Sequence, residues 1–189
     1  MALENYHRLR NFSTTSEPKG EENGVSNSLI FVVQQHAASH LHYDFRLEVG
    51  GVLKSWAIPK GPSLNPSHRR LAIMVEDHPF AYKDFEGVIP EGNYGAGKVI
   101  VWDTGTYTLA HEQPGSETST KAILNGLQEG HLGFVLNGSK LRGEFALVKL
   151  PTKQDTTWLL IKKRDSFASK DNVLEQDRSV VSGLRVSEI

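Results

Sequence analysis

Between His40 and Val49 the chain reads HLHYDFRLEV, and its polar side chains recur at alternate positions. In an extended strand His40, His42, Asp44, Arg46 and Glu48 fall on one side. Leu41, Tyr43, Phe45, Leu47 and Val49 fall on the other. Side chains on one face repeat about every 6.6–6.8 Å, so His42 and Asp44 can reach one metal ion while Arg46 reaches an anion bound to it. His36 stands just upstream and adds a third imidazole. The chain has no cysteine, so a metal site must use nitrogen and oxygen donors. The pattern alone does not say which histidines are ligands. Arg46 has two readings, an ion-pair partner of Asp44 or Glu48 and a bidentate phosphate clamp.

A second group of candidates follows LAIMV. His78 sits in EDHPFAY with Tyr82 one short turn later, where a strand emerges into a loop. Residues placed there often serve a site, and a tyrosine hydroxyl can donate to an oxyanion. Between Val49 and Val75 there is no Asp or Glu, whereas Lys54, Lys60, His68, Arg69 and Arg70 all occur. Such a stretch can meet phosphates, although a solvated basic face is the ordinary alternative. GNYGAG, from Gly92 to Gly97, lacks the spacing of a nucleotide-binding loop and precedes a strand, so it reads as a structural turn. No GxSxG elbow is present.

These residues need a scaffold, and 189 residues with 38% hydrophobic and 23% charged content suit one globular domain. Net charge is −1, so no global positive field argues for nucleic acid. The longest apolar runs are far too short to span a bilayer, no signal-like apolar core opens the chain, and the expected compartment is the cytoplasm, with no membrane association. Residues 1–28 read as an N-terminal arm, with a short helix over 3–11 followed by a polar loop over 16–28. Residues 29–164 read as the core. Strands are expected at 29–34, 40–49, 52–58, 71–76 (fully buried), 98–109, 132–138, 142–150 and 156–164, with Gly50-Gly51 and Asn137-Gly138 as turns. A short helix with a Ser or Thr cap and Gly130 as terminator covers the region around Ile123 and Leu127. Residues 165–189 read as a polar, peripheral tail. The expected fold is mainly β: a small closed or nearly closed barrel of about eight strands with one or two short flanking helices.

The runs FVVQQHAASHLHYDFRLEVGGVLKSWAIPKGPS and LAIMVEDHPFAYKDFEGVIPEGNYGAGKVIVWDTGTY resemble the 3′-phosphoesterase domain of bacterial DNA ligase D and its free-standing relatives. The carrying pattern is H-x5-H-x-D-x-R followed later by H-x3-Y, and the likeness extends through LGFVLNGSKLRGEFALVKL and WLLIKKRD to the C-terminus. The resemblance implies a stand-alone manganese-dependent enzyme that heals DNA 3′ ends during double-strand break repair by non-homologous end joining, with Co²⁺ or Zn²⁺ as other usable metals. It would remove a 3′-terminal ribonucleoside by phosphodiester cleavage and hydrolyse the 3′-phosphate left behind. Its partners would be primer-template or duplex 3′ ends carrying a 3′-phosphate or 3′-ribonucleotide, and a separate ligase and polymerase. By the same resemblance His36, His42 and Asp44 hold the metal. Arg46, His78 and Tyr82 contact the scissile phosphate, and Lys60 and Arg70 make further substrate contacts. The segment RNFSTTSEP resembles a family segment RDFxxTxEP, which assigns a role in activity to Glu17 and places Asn11 where the family pattern has Asp.

Two other classes fit parts of the pattern. An Fe(II) oxygenase could draw a facial triad from His42, Asp44 and either His78 or His131. A non-catalytic DNA-end binding module could keep the barrel and lack turnover, and Asn11 is the residue that favours it.

Overall fold

A computed structural model describes residues 3–20, 29–111, 119–152 and 154–189. Helix α1 spans Glu4–Leu9. Strands β1 (Ile30–Ala37), β2 (Leu41–Val49), β3 (Val52–Ile58) and β4 (Arg70–Met74) follow. Next come the two-residue β5 (His78–Pro79), a 3₁₀ turn over Phe80–Asp84, β6 (Gly87–Ile89) and the long β7 (Gly97–Leu109). Helix α2 (Ser119–Glu129) precedes β8 (His131–Gly138), β9 (Arg142–Lys149) and β10 (Thr157–Lys162).

All strand pairs are antiparallel, in the order β1-β2-β3-β4-β10-β9-β8-β7, and β7 pairs back onto β1 to close the circuit. This is the eight-stranded barrel expected, with β5 and β6 as short additions on β3 and β7. Gly50 and Gly51, at φ 61° and 88°, make the β2–β3 turn in a region of backbone space that favours glycine. The inner face carries the apolar half of each alternation. Phe45 stacks on Phe134 at 5.7 Å between centroids, Phe134 on Phe145 at 6.4 Å, and Trp56 meets Trp158 edge-on at 6.1 Å. Each fully buried aromatic of this kind contributes about 1.5–3 kcal/mol relative to an exposed one. Helix α2 docks on this core with Ile123 and Leu127, one turn apart, and ends at Gly130 (φ 80°). The Ser or Thr expected to cap it, Ser119 or Thr120, lies instead within the first turn of the helix.

A second apolar layer lies on the outside of the same wall. Leu3 and Tyr6 from the N-terminal arm, and Tyr82, Phe85 and Ile89 from the segment after β5, pack against Val32, Leu53, Val99 and Val101. The polar face of β2 is therefore covered, and from Tyr43 onward the strand is buried on both faces: Asp44, Arg46 and Glu48 are 8%, 2% and 4% exposed. Period-two patterning predicts a half-buried strand, and it cannot register a covering layer contributed by remote segments.

Four further expectations need correction. Helix α1 is shorter than 3–11. The strand expected at 29–34 continues to Ala37, so His36 belongs to β1. The apolar run 71–76 is not a buried strand: only Ala72 of β4 is buried, while Leu71 and Ile73 are 42% and 38% exposed because the outer layer stops short of β4. The tail is docked rather than peripheral. Val173 joins the barrel core, and the Gln176 carbonyl accepts from the Trp102 indole N–H at 2.7 Å. Among the described residues no helix is long and apolar enough to cross a membrane.

Candidate metal and phosphate site

The register of the first hairpin assembles the metal cluster. β1 and β2 pair with His36 opposite His42 and Gln34 opposite Asp44, and cross-strand neighbours on one face stand about 4.5–5.5 Å apart at Cβ. One ligand atom from each of His36, His42 and Asp44 lies within 4.8 Å of the others. His36 Nδ1 is 3.6 Å from Asp44 Oδ2, and His42 Nε2 is 3.6 Å from Asp44 Oδ1. The remaining ring nitrogens are held by main-chain carbonyls, His36 Nε2 by Gly95 at 2.9 Å and His42 Nδ1 by His40 at 2.9 Å. With those nitrogens donating, Nδ1 of His36 and Nε2 of His42 keep their lone pairs toward Asp44. Metal-binding histidines are oriented in this way. Two imidazoles and a carboxylate with their free lone pairs converging can therefore hold a divalent cation, and the donor set suits a transition metal.

Arg46 sits beside this cluster, buried by the outer layer. Its Nη2 donates to Asp44 Oδ2 at 3.1 Å, Nε to Gln34 Oε1 at 2.8 Å and Nη1 to Ser55 Oγ at 2.9 Å. A guanidinium has five N–H groups, so N–H groups remain for a ligand. Burial pushes the Asp44 carboxyl up, but the opposing interactions, led by the Arg46 guanidinium, outweigh it and hold the group well below the usual carboxylate range. Asp44 is thus ionised at any working pH, as a metal ligand must be.

A cavity of about 300 Å³ opens over these residues. The expected phosphate contacts Arg46, His78 and Tyr82 line it together with His36, His42 and Asp44. Ala57, opposite Asp44 on β3, contributes the small side chain that leaves this space. His78 Nδ1 is 2.9 Å from the Glu76 carbonyl, and its Nε2 accepts from Arg10 Nη2 at 3.1 Å. Burial first, then the Arg46 and Arg10 charges, push its pKa well below that of an ordinary histidine, so the ring is neutral with its lone pair on Nε2. The Tyr82 hydroxyl donates to Glu17 Oε1 at 2.9 Å. Burial, ahead of the opposing Arg46 charge, pushes that phenol well above its usual range.

Glu17 lies behind the cavity and does not line it. Its carboxylate accepts from Tyr82, from Arg10 Nε at 2.9 Å and from Thr15 Oγ1 at 3.0 Å, and so ties the N-terminal arm to the 3₁₀ turn. Asn11, Lys60 and Arg70 are not brought into the cavity. Asn11 is exposed, and its side-chain oxygen accepts from the backbone N–H and hydroxyl of Ser13 as a turn cap. Lys60 is exposed just after β3, and Arg70 opens β4 with its guanidinium beside His68 at 3.5 Å. His40 is exposed in the β1–β2 turn, and His131 at the start of β8 lies outside the metal group.

Several residues of the site escaped the sequence reading. Arg10 bridges Glu17, Glu76 and His78, and its guanidinium stacks 3.9 Å above the Tyr6 ring. Glu76 lines the cavity, and Gln34 holds Arg46. Tyr94, 49% exposed, stands at the cavity's edge one residue before the carbonyl that fixes His36. Arg10 and Glu76 adjoin the flagged residues Asn11 and His78, yet an isolated Arg or Glu carries no period or spacing to mark it.

The profile of the family described as DNA Ligase D 3′-phosphoesterase domain matches residues 34–149. The chain is 45% identical over 187 residues to the multifunctional non-homologous end joining protein LigD of Pseudomonas aeruginosa, covering 95% of this chain and 21% of that protein. It is 40% identical over 195 residues to the Mycobacterium tuberculosis protein of similar name (98% and 24%) and 37% identical over 164 residues to that of Mycolicibacterium smegmatis (86% and 21%). It therefore spans between a fifth and a quarter of the length of these curated relatives. With the metal cluster and cavity formed by the residues of the H-x5-H-x-D-x-R and H-x3-Y pattern, the chain belongs to the DNA ligase D 3′-phosphoesterase domain family.

Proposed function

We propose that this protein is a divalent-metal-dependent phosphoesterase that heals DNA 3′ ends. It would hydrolyse 3′-phosphates and remove 3′-terminal ribonucleosides during double-strand break repair by non-homologous end joining. The observation that carries this reading is the charge balance of the cavity. The guanidinium groups of Arg46 and Arg10 face the carboxylates of Asp44, Glu76 and, behind them, Glu17. Such a site disfavours an anion until a divalent cation adds its charge, and then it favours a phosphate. Mn²⁺ is the expected ion, with Co²⁺ or Zn²⁺ as substitutes. His36, His42 and Asp44 would hold it. When bound, it supplies Lewis-acid polarisation of the phosphate and activation of water.

The remaining steps belong to the protein. The unused N–H groups of Arg46 and Arg10 bind phosphate oxygens and offset the charge that grows on them in the transition state. Glu17 anchors Arg10 from behind the cavity, and Tyr82, which lines the cavity and donates to Glu17, would contact the phosphate with Arg46 and His78. His78, neutral at Nε2, accepts a hydrogen bond in the free protein. To protonate a leaving 3′-oxygen it must first gain a proton, which a neighbouring phosphate dianion favours. Lys60 and Arg70 fit contacts to the substrate strand outside the cavity, and a separate ligase and polymerase would act before or after this protein in the cytoplasm.

The same three metal ligands would serve an Fe(II) oxygenase, but two guanidinium groups beside a neutral imidazole suit a phosphoryl group better. A 5′-labelled primer-template ending in one ribonucleotide, incubated with and without Mn²⁺, separates the outcomes on one gel. The expected products are a shortened 3′-phosphate strand and then a 3′-hydroxyl strand. Hydrolysis that survives complete chelation, or succinate release from 2-oxoglutarate instead of hydrolysis, would overturn the reading.

A further inference from the structure

Beyond the metal cavity, the outer face of β4 and β10 ends in a rim of cations. Arg69 immediately precedes β4, Lys163 immediately follows β10, and both are exposed. β4 and β10 pair with Leu71 opposite Leu159, which draws these two segments, remote in sequence, to one end of the barrel. Arg164 and Lys170 follow on the next loop and are also exposed. Arg164 is shared by two adjoining depressions, one lined also by Arg69 and Lys163 and the other by Lys170.

Among the described residues, none of these four cations has an acid within ion-pair distance. Glu144 is the only acid lining either depression, and Asp165 is taken by Lys162 at 2.6 Å. In a chain of net charge −1 this is a marked local excess. Like charges gathered on one edge repel each other, and a polyanion relieves that repulsion.

The rim also lies on the face that carries the metal ligands. Asp44 pairs with Ala57, and Ala57 pairs with Ile73, so these three form one row across the sheet. Strand spacing of about 4.8 Å and a rise of about 3.4 Å per residue put Arg69 roughly 12–17 Å from His42 and Asp44. The ground between is the exposed apolar pair Leu71 and Ile73, which presents neither charge nor barrier. A nucleic-acid strand advances about 3.4 Å per nucleotide, so Arg69, on the β4 side of the rim, stands roughly four or five nucleotides behind an end held in the cavity.

The geometry points to Arg69, Lys163, Arg164 and Lys170 as a track for the phosphate backbone of the double helix behind the 3′ end, a nucleic-acid-binding surface separate from the metal cavity. The direction of the helix rests on the phosphoesterase reading; the binding does not. The test uses the full chain with Arg69→Gln, Lys163→Gln, Arg164→Gln and Lys170→Gln combined, and Arg164→Gln alone as a milder variant, each checked by thermal melting. Affinity for a duplex with a 3′-phosphate end is measured against salt, and turnover is measured on that duplex and on a nucleoside 3′-phosphate too short to reach the rim. The expected result is at least about a tenfold loss of duplex affinity, and a fall in the slope of log K against log salt of about 0.9 for each contact removed. Turnover of the nucleoside 3′-phosphate stays at the wild-type level. Unchanged duplex affinity and salt slope would overturn the track, as would equal losses on both substrates or loss of binding to anionic lipid vesicles with duplex binding intact. If the wild type hydrolyses neither substrate, the phosphoesterase reading fails while the salt titration still tests the track.

Discussion

Strand β2 serves two regions of opposite character. On its inner face Tyr43, Phe45, Leu47 and Val49 join an apolar barrel core. On its outer face Asp44, Arg46 and Glu48 are just as buried, yet each is held by hydrogen bonds rather than by packing alone. The inside is filled by volume, and the outside by matched donors and acceptors beneath a lid of arm and loop. Apolar packing tolerates no empty space and offers a ligand nothing. A buried polar wall is costly unless its groups are satisfied, and the few N–H groups and lone pairs left over at Arg46, His36 and His42 are what a metal and a phosphate can use. Adjacent residues of one strand thus divide stability from chemistry.

That division can be broken one residue at a time. The largest effect is expected from His42→Ala on the outer face. Metal-dependent hydrolysis of a 3′-phosphate primer should fall to the chelated background, with the melting temperature within a few degrees of wild type; retained activity would remove His42 from the metal set. On the inner face, Phe45→Ala should do the reverse. A cavity of that size costs about 3–5 kcal/mol, enough to lower Tm by about 10 °C or more, while turnover per folded molecule at low temperature changes little.

Glu17→Gln probes the seam between the two regions. It removes the charge that anchors Arg10 and Tyr82, and loss of such a supporting group typically costs ten- to a hundredfold in activity. The expected signature is a fall in kcat with bound metal unchanged by titration. A pH series sharpens the contrast further. His78 has a folded pKa below its unfolded value, so its contribution is full above about pH 6.5 and is lost as pH falls below it, because the unfolded chain takes up a proton that the folded one refuses. Chemical denaturation between pH 7.5 and 5.5 should show stability declining by up to about 1.4 kcal/mol per pH unit from this group. His78→Asn should flatten the curve by one proton. The smallest structural effect belongs to Asn11→Asp, which keeps the turn cap and should leave stability within about 0.5 kcal/mol. Its readout is functional: removal of a terminal ribonucleoside should rise relative to 3′-phosphate hydrolysis.

Much of this architecture was legible in the chain. Alternation marked β2, Gly50-Gly51 marked its turn into β3, and the histidines and aspartate between 36 and 44 marked a cysteine-free metal site. These features are local: a period of two sorts side chains to faces, and a positive φ selects glycine, whatever the rest of the molecule does. Residue type misread β4, whose continuous apolar run suggested burial where Leu71 and Ile73 are exposed. It also missed Arg10 and Glu76, because an ion bridge between residues 66 positions apart leaves no mark in either segment.

What the order of residues settled was which side chains share a face and that nitrogen and oxygen metal donors stand on it, but not which histidines are ligands. Which face became core and which became site depended on closure of the barrel and on the arm and loop laid over its outer wall. Burial is a property of what lies opposite a surface. For the His42–Asp44–Arg46 face, what lies opposite comes from Leu3 to Glu17 and from Glu76 to Gly95, segments that meet β2 only once the chain has folded.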